Sequence, residues 1–315
     1  MKEVMKQYDA IIIGFGKAGK TLAAELSNRG WQVAVVERSS MMYGGTCPNI
    51  ACIPTKTLVH EAGIAALLYH DDYPKQANLY KQAIGRKNRL TSFLRNNNYE
   101  RLSKRPNVTV YTGEGSFVSA NIIKVALPEG DIELQGKEIF INTGSTPIIP
   151  AIDGIKESQK VYTSTTLLDL NVLPQRLIIV GGGYIGLEFA SVFSAFGSEV
   201  TVLEYAKEVL PHFDSDLAKR LRQSLGKRGI KIETRAAVKS IAKEGDGLAV
   251  AYERKGKEQS VTADKVLMAV GRRANVGTLN LADIGVETSC KAVEQLRAVV
   301  KERKLRTAEE IHDAL

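Results

Sequence analysis

One design occurs twice in this chain, and it restricts the fold more than any other feature. The first copy is YDAIIIGFGKAGKTLAAELSNRGWQVAVVER, residues 8 to 38. The second is QRLIIVGGGYIGLEFASVFSAFGSEVTVLEY, residues 175 to 205. Each passes from a continuous apolar run through G-x-G-x-x-G into a segment with helical apolar spacing. Each then closes on a second apolar run that ends in glutamate. A run without alternation is what a strand covered on both faces requires, so IIIG and LIIVG predict central strands of parallel sheets. The predicted class is α/β, with two Rossmann-like dinucleotide-binding domains.

The glycines have separate physical duties. Gly14 and Gly181 permit the tight turn out of the strand. Gly16 and Gly183 lack a Cβ, so the backbone there can approach a pyrophosphate closely. Gly19 and Gly186 let the helix lie against the sheet, and its first-turn N–H groups face the phosphates. A carboxylate closing the second strand can accept from ribose hydroxyls. Glu37 and Glu204 each follow the third glycine by eighteen residues, near the expected ~20. One such motif is weak evidence, since glycine turns also occur in α/β folds without ligand. Every element recurring in order predicts two dinucleotide sites. At the second, Glu204 suits a free 2′-hydroxyl and repels a 2′-phosphate, and Lys207 lies three residues on, so NAD(H) is expected rather than NADP.

Length and composition agree. The chain has 315 residues, 44% of them apolar, enough for two cores. Net charge is +8, but the basic residues are scattered, with modest clusters at 86–105 and 301–306. Solvated helix faces account for them, and no nucleic-acid partner is expected. Residues 1–7 are polar, no signal peptide is read there, and no apolar run is long enough for a bilayer. Three cysteines are too few for a secreted disulfide framework, so a reducing cytoplasm is expected.

Two of those cysteines, Cys47 and Cys52, stand five residues apart in GGTCPNIACIPTK, residues 44 to 56. Such a pair can be a structural bridge, half of a metal site or a redox couple. A static bridge closing so short a loop gains little chain entropy. A C-x4-C spacing is not the usual zinc hook, and Cys290 is far along the chain. Pro48 suits the first turn of a helix. An ideal helix would hold sulfurs at this spacing slightly too far apart to bond, so a local distortion is expected, and strained disulfides are the reducible kind. A helix start is also expected to lower the thiol pKa.

Taken together, these segments resemble the class I pyridine nucleotide–disulfide oxidoreductases, over roughly residues 7 to 288. The wording GGTCPNIACIPTKTLVH looks closest to the reactive-chlorine-resistance reductases, then to mercuric reductase and dihydrolipoamide dehydrogenase. The turn Thr143-Gly144-Ser145-x-Pro147 and the segment Val270-Gly271-Arg272 carry further resemblance. It implies FAD in the first unit and NAD(P)H in the second. Glu37 would hold the FAD ribose, with Gly45 and Thr46 at the pyrophosphate and flavin. Gly115 and Thr143 to Ser145 would meet FAD through backbone groups. Lys56 would sit near the flavin and pair with Glu188, and Tyr184 would lie between nicotinamide and flavin. Ile185, Val238 and Gly271 would border NAD. Cys52 would face the flavin and Cys47 would exchange with a small-molecule electron acceptor. Ala51 departs from the glycine the family commonly has before the second cysteine, a change of one methyl group.

The expected division is an FAD-binding domain over 1–151, an NAD(P)-binding domain over 152–275, and an incomplete return with a charged helical tail over 276–315. After residue 288 no motif of the family is recognised. The Ala-x-Gly-Asp segment whose Asp binds FAD, and the interface domain with its His-Glu pair and homodimer, are expected to be absent. Loss of that Asp would remove roughly 1.5–3 kcal/mol of binding. His312 in EIHDAL lacks the flanking pattern of a catalytic base, and His60, His70 and His212 have no constellation around them. The predicted function is an FAD-dependent NAD(P)H oxidoreductase working through Cys47–Cys52. The alternative is a non-catalytic nucleotide-binding module that holds FAD weakly.

Overall fold

The computed structural model describes residues 5–69, 72–156 and 158–286. His70, Cys290 and His312 fall outside them, as does the expected tail helix. Strand β1 (Lys6–Ile13) leads through the first glycine turn into α1 (Lys17–Asn28) and β2 (Val33–Glu37). The chain then forms α2 (Thr46–Ile50), α3 (Cys52–Leu68) and the long α4 (Tyr73–Ser103) before returning as β3 (Val108–Thr112). β4 (Glu114–Ser119), β5 (Ile122–Ala126) and β6 (Ile132–Ile141) complete a sheet of order β3-β2-β1-β6-β5-β4. It is parallel from β3 to β6 and antiparallel beyond. The apolar runs act as two-faced strands. Ile11, Ile13, Ala34 and Val36 enter one core, while Ala10, Ile12, Val33 and Val35 enter another on the opposite face.

The second unit follows β7 (Ser145–Pro147), and β8 (Val161–Thr163) is the first of its strands. It repeats the design as β9 (Arg176–Val180), α5 (Tyr184–Ala195) and β10 (Glu199–Glu204), followed by α6 (Ser215–Lys227) and β11 (Lys231–Thr234). β12 (Ala236–Glu244), β13 (Gly247–Arg254) and β14 (Lys257–Ala263) form an antiparallel sheet of their own. β15 (Lys265–Met268) completes the parallel order β11-β10-β9-β15-β8, and β16 (Arg272–Ala274) pairs with β7. The small antiparallel sheet covers one face of the parallel one, packing Ile241, Val250 and Tyr252 on Ile178, Val180 and Met268. Residues beyond β16 turn back to the first unit. Leu279 and Leu281 are buried in its core, and Phe117 N–H donates to the Leu279 carbonyl at 3.0 Å.

The other face of the second sheet is roofed by helices from both units. Leu58, Ala62 and Ala65 of α3 and Tyr80, Ala83 and Ile84 of α4 share one core with Leu177, Ile179, Phe193 and Val202. Helix α4 starts cleanly: Asp72 caps it by accepting from Lys75 N–H, with proline in the first turn. Along it, Tyr73, Tyr80 and Lys87 recur every seven residues, two helical turns, and so share a face. They donate to the carbonyls of Leu173, Leu170 and Leu168 at 2.6, 2.7 and 2.7 Å. Burial pushes the Lys87 amine below its ordinary pKa. The basic residues of 86–105 are therefore not all solvated. Arg86 grips Glu61, Lys87 is buried, Arg95 reaches Asn49 and Arg105 reaches Asn28. Tertiary partners, invisible in a charge count, set their role.

Candidate functional site

Both glycine turns have the same geometry. Gly14 and Gly181 share φ of +110°, where any side chain is strained. A Cβ on Gly14 would stand 2.2 Å from the Asn142 carbonyl oxygen, and one on Gly181 would stand 2.5 Å from that of Ala269. Gly19 and Gly186 press on the carbonyls of Gly14 and Gly181, which lets α1 and α5 sit on their strands. At Gly183 the Cβ position is open, the space a close-approaching ligand needs. Neither α1 nor α5 has a side chain capping its first turn, so those N–H groups point out for an anion.

The two acids repeat each other bond for bond. Glu37 accepts from the N–H of Phe15 at 2.9 Å and of Ser39 at 3.2 Å. Glu204 accepts from Gly182 at 2.5 Å and Ala206 at 2.6 Å, the equivalent positions. Both are buried, and burial raises the Glu37 carboxyl above its usual range against the pull of its N–H donors. Each carboxylate still has lone pairs to offer a ribose.

Beside Glu204 lies a cleft of about 770 Å³. Gly181, Gly183, Tyr184, Ile185, Glu204, Val238 and Gly271, all read from the sequence, line it together. The cleft has room for a dinucleotide and an open cradle at Gly183, so these residues fit a nicotinamide dinucleotide. His212 and Lys239, which sequence reasoning left out, also line it. Tyr184 stands 68% exposed at the mouth, edge-on to Phe213 at 6.4 Å between centroids. Buried Leu210 holds φ at +49° while its N–H donates to the Gly182 carbonyl at 3.0 Å, tying this loop to the glycine turn.

The cysteine insert touches both units. Gly44 and Gly45 turn with φ of +91° and +78°, and a Cβ on Gly45 would meet Gly16 Cα at 2.5 Å. Thr46 lies across from Gly144, whose neighbours are held by Asn275 on the Thr143 and Gly144 carbonyls and by Arg272 on Ser145. These residues gather backbone groups around the uncapped α1 start, the arrangement that a dinucleotide phosphate requires. Gly115 sits in β4, where a Cβ would press at 3.3 Å on Ile13 and Val36. The expected distortion between the cysteines is at Ala51, whose φ of −146° and ψ of −98° break α2 from α3. Lys56 Nζ donates to Glu188, joining α3 to α5.

Both thiols are free, Cys47 half-buried and Cys52 exposed. The expectation of a lowered thiol pKa is corrected at Cys47. Burial pushes this thiol up, the hydrogen-bonded Cys52 thiol adds to the effect, and Lys17 and Lys20 pull against it without prevailing. α2 is only five residues long and supplies little dipole. Sequence reasoning also missed what holds the insert. Tyr43 stacks on Tyr99 at 4.6 Å and meets Phe15 at a tilt with centroids 5.2 Å apart, and Arg95 of α4 donates to Asn49 Oδ1 at 2.9 Å. Aromatic spacing at 15, 43 and 99 was the one available signal, and it carries no register.

A family model described as "Pyridine nucleotide-disulphide oxidoreductase" matches residues 8–308. The match runs twenty residues past 288, where no family motif stood out, because 289–308 contain no glycine or proline to mark a turn. The probable pyridine nucleotide-disulfide oxidoreductase RclA of Escherichia coli (strain K12) is 43% identical over 303 residues, 96% of this chain and 64% of that protein. The mercuric reductase of Lysinibacillus sphaericus is 33% identical over 287 residues, 89% of this chain and 51% of that protein. Among solved structures, a Cu(II) complex of HOCl-induced flavoprotein disulfide reductase RclA from Escherichia coli matches with a TM-score of 0.82 and 43% identity. That match covers 90% of this chain and 61% of that one. The chain thus spans less than two thirds of the length of each. Among the described residues, no helix is long and apolar enough to cross a membrane, and no three His, Cys, Asp or Glu residues gather as a metal site.

Proposed function

Because this chain belongs to the pyridine nucleotide–disulphide oxidoreductase family, we propose that it passes electrons from NADH through FAD to the Cys47–Cys52 pair and on to a small acceptor. The observation that carries this reading is the position of the cysteine insert. It packs on the first glycine turn through Gly45 and Gly16, and α3 pairs with the second nucleotide helix through Lys56 and Glu188.

Bound FAD would supply two-electron exchange with a reduced nicotinamide and with a dithiol. The chain's own groups do the rest. Glu37 offers its remaining lone pairs to the FAD ribose, and the N–H groups of the α1 first turn face the pyrophosphate. Gly16, Gly45 and Thr46 would line that path, while Gly115, Thr143, Gly144 and Ser145 would meet FAD through backbone groups. Gly14, Gly19, Gly181 and Gly186 shape the turns. In the second cleft Gly183 and Ile185 would line the pyrophosphate, and Val238 and Gly271 would border the nucleotide. Tyr184, exposed at the mouth, would lie between nicotinamide and flavin. Glu204 favours NADH over NADPH, because a buried carboxylate repels a 2′-phosphate. Lys56, tethered by Glu188, places a cation beside the flavin. Closing the Cys47–Cys52 disulfide breaks two S–H bonds and forms one S–S bond, releasing two electrons to the acceptor and two protons to solvent. A metal ion is the acceptor class favoured here, in keeping with the Cu(II) complex and the mercuric reductase among the relatives. A chain with only three cysteines suits a reducing compartment such as the cytoplasm.

The test is an anaerobic absorbance experiment on the purified chain incubated with FAD, before and after one equivalent of NADH, followed by Cu(II) with a Cu(I)-specific chelator. The expected result is bleaching of the flavin band and then Cu(I) formation, with the second step lost in Cys52→Ser. A protein that takes up no FAD, or bleaches identically while Cys52→Ser reduces Cu(II) at the full rate, overturns the relay.

A further inference from the structure

We infer that Arg95, in the middle of α4, is a positioning residue for the Cys47–Cys52 couple and sets how readily those two thiols form a disulfide. The inference rests on the redox reading of that pair and adds a residue that no motif of the insert contains. Its basis is the hydrogen bonding inside the insert. Gly44 and Gly45 are consecutive residues at positive φ, a turn that glycine leaves free to sample other shapes unless something fixes it. Asn49 fixes it. Its carboxamide is buried, and Nδ2 gives its two hydrogens to the carbonyls of Tyr43 at 3.0 Å and Gly45 at 2.8 Å. One side chain thus ties the backbone after Cys47 to the backbone before it.

An amide can do this in only one orientation, since a flip would turn Oδ1 toward two carbonyl oxygens. Arg95 selects that orientation. Its Nε donates to Asn49 Oδ1 at 2.9 Å, and its Nη1 lies 3.3 Å from Met41 Sδ, in the short turn that leads into the insert. Among the described residues Arg95 has no carboxylate partner, so its cation serves an amide and a thioether rather than an ion pair. Arg95 is carried on a continuous helix whose first half, from Tyr73 to Lys87, is bonded to the segment 168–173. The brace therefore fixes the turn that carries Cys47 as the neighbour of Cys52, across the break at Ala51. A preset approach of the sulfurs favours the disulfide, and a loosened loop favours the dithiol, whose chain has more freedom.

The experiment equilibrates the full-length chain in buffers of reduced and oxidised dithiothreitol, where the pair exchanges two electrons and two protons with the reagent. Acid quench, alkylation and trypsin follow. Cys47 and Cys52 share the peptide of residues 39–56, and Cys290 falls in another, so mass spectrometry reads the couple alone. Arg95→Met should move the equilibrium toward the dithiol by about tenfold, about 30 mV. Arg95→Lys, which can still donate to Asn49, should recover part of the shift, and Asn49→Leu should move it in the same direction. Equilibria within about twofold of the parent for both Arg95→Met and Asn49→Leu overturn the positioning role, even where melting temperatures fall. If the parent chain forms no disulfide in any buffer, the redox reading fails with it. A parent disulfide without a variant effect sinks the Arg95 inference alone.

Discussion

Cys47 and Cys52 are neighbours with unlike surroundings, and that difference is measurable. Burial and the adjacent thiol raise Cys47, while Cys52 is exposed. Near pH 7.5 iodoacetamide should therefore label Cys52 first, and the Cys47 rate should keep climbing at pH values where an ordinary thiol, ~8.5, has levelled off. Time-resolved mass spectrometry checks the order, and equal rates would refute it. The sign for stability follows. A folded-state thiol raised above its unfolded value contributes stability that is full below the unfolded value and is lost as pH rises through the raised one. Glu204 gives a second outcome. Replacing it with Gln removes a charged acceptor and should weaken NADH by about tenfold or more while narrowing the gap to NADPH, read by titration calorimetry. Glu37 and Glu204 were legible from spacing alone, since a strand end and a glycine turn fix where the acid stands. Asn49 and Arg95 were not. Their bond joins residues 46 positions apart, and no local pattern encodes which arginine of a basic helix turns inward.

At the scale of elements, α4 carries the least foreseeable structure. Helix α3 buries residues around much of its girth, so it shows no one-sided stripe, and α4 reads as polar because its inward face mixes Gln76, Tyr80, Lys87 and Thr91 with Ala83 and Ile84. Both strand–turn–helix–strand units, by contrast, stand in the sequence because each is closed locally by its own glycines. The bonds from Tyr73, Tyr80 and Lys87 to successive carbonyls make α4 a rail for the segment entering the second unit. Tyr80→Phe deletes one of them inside a fully buried core while keeping the ring contacts to Phe193 and Phe196. The expected cost is about 1–3 kcal/mol. It should appear as a lower urea midpoint with an unchanged slope. A midpoint equal to that of the parent would show that the hydroxyl contributes nothing there.

The two nucleotide units of the whole molecule are separate in sequence but not in packing. Helices that leave the first sheet complete the core of the second, and residues 279–281 return to complete the first. They should therefore melt together. Trp31 is the only tryptophan and packs against the first core, so its fluorescence reports that unit alone, while far-ultraviolet circular dichroism reports both. Coincident urea transitions are expected, and a Trp31 transition separated from the dichroism would mean independent units. The shared core also has a consequence for how the chain is made. Helices α3 and α4 are complete by residue 103, but the strands they cover end only at residue 204. At roughly 5–20 residues per second, the ribosome leaves Leu58, Tyr80 and Ile84 without their cover for about 5–20 s. During that interval the nascent chain presents a greasy helical hairpin to the cell, a natural landing place for a chaperone until its partner sheet emerges.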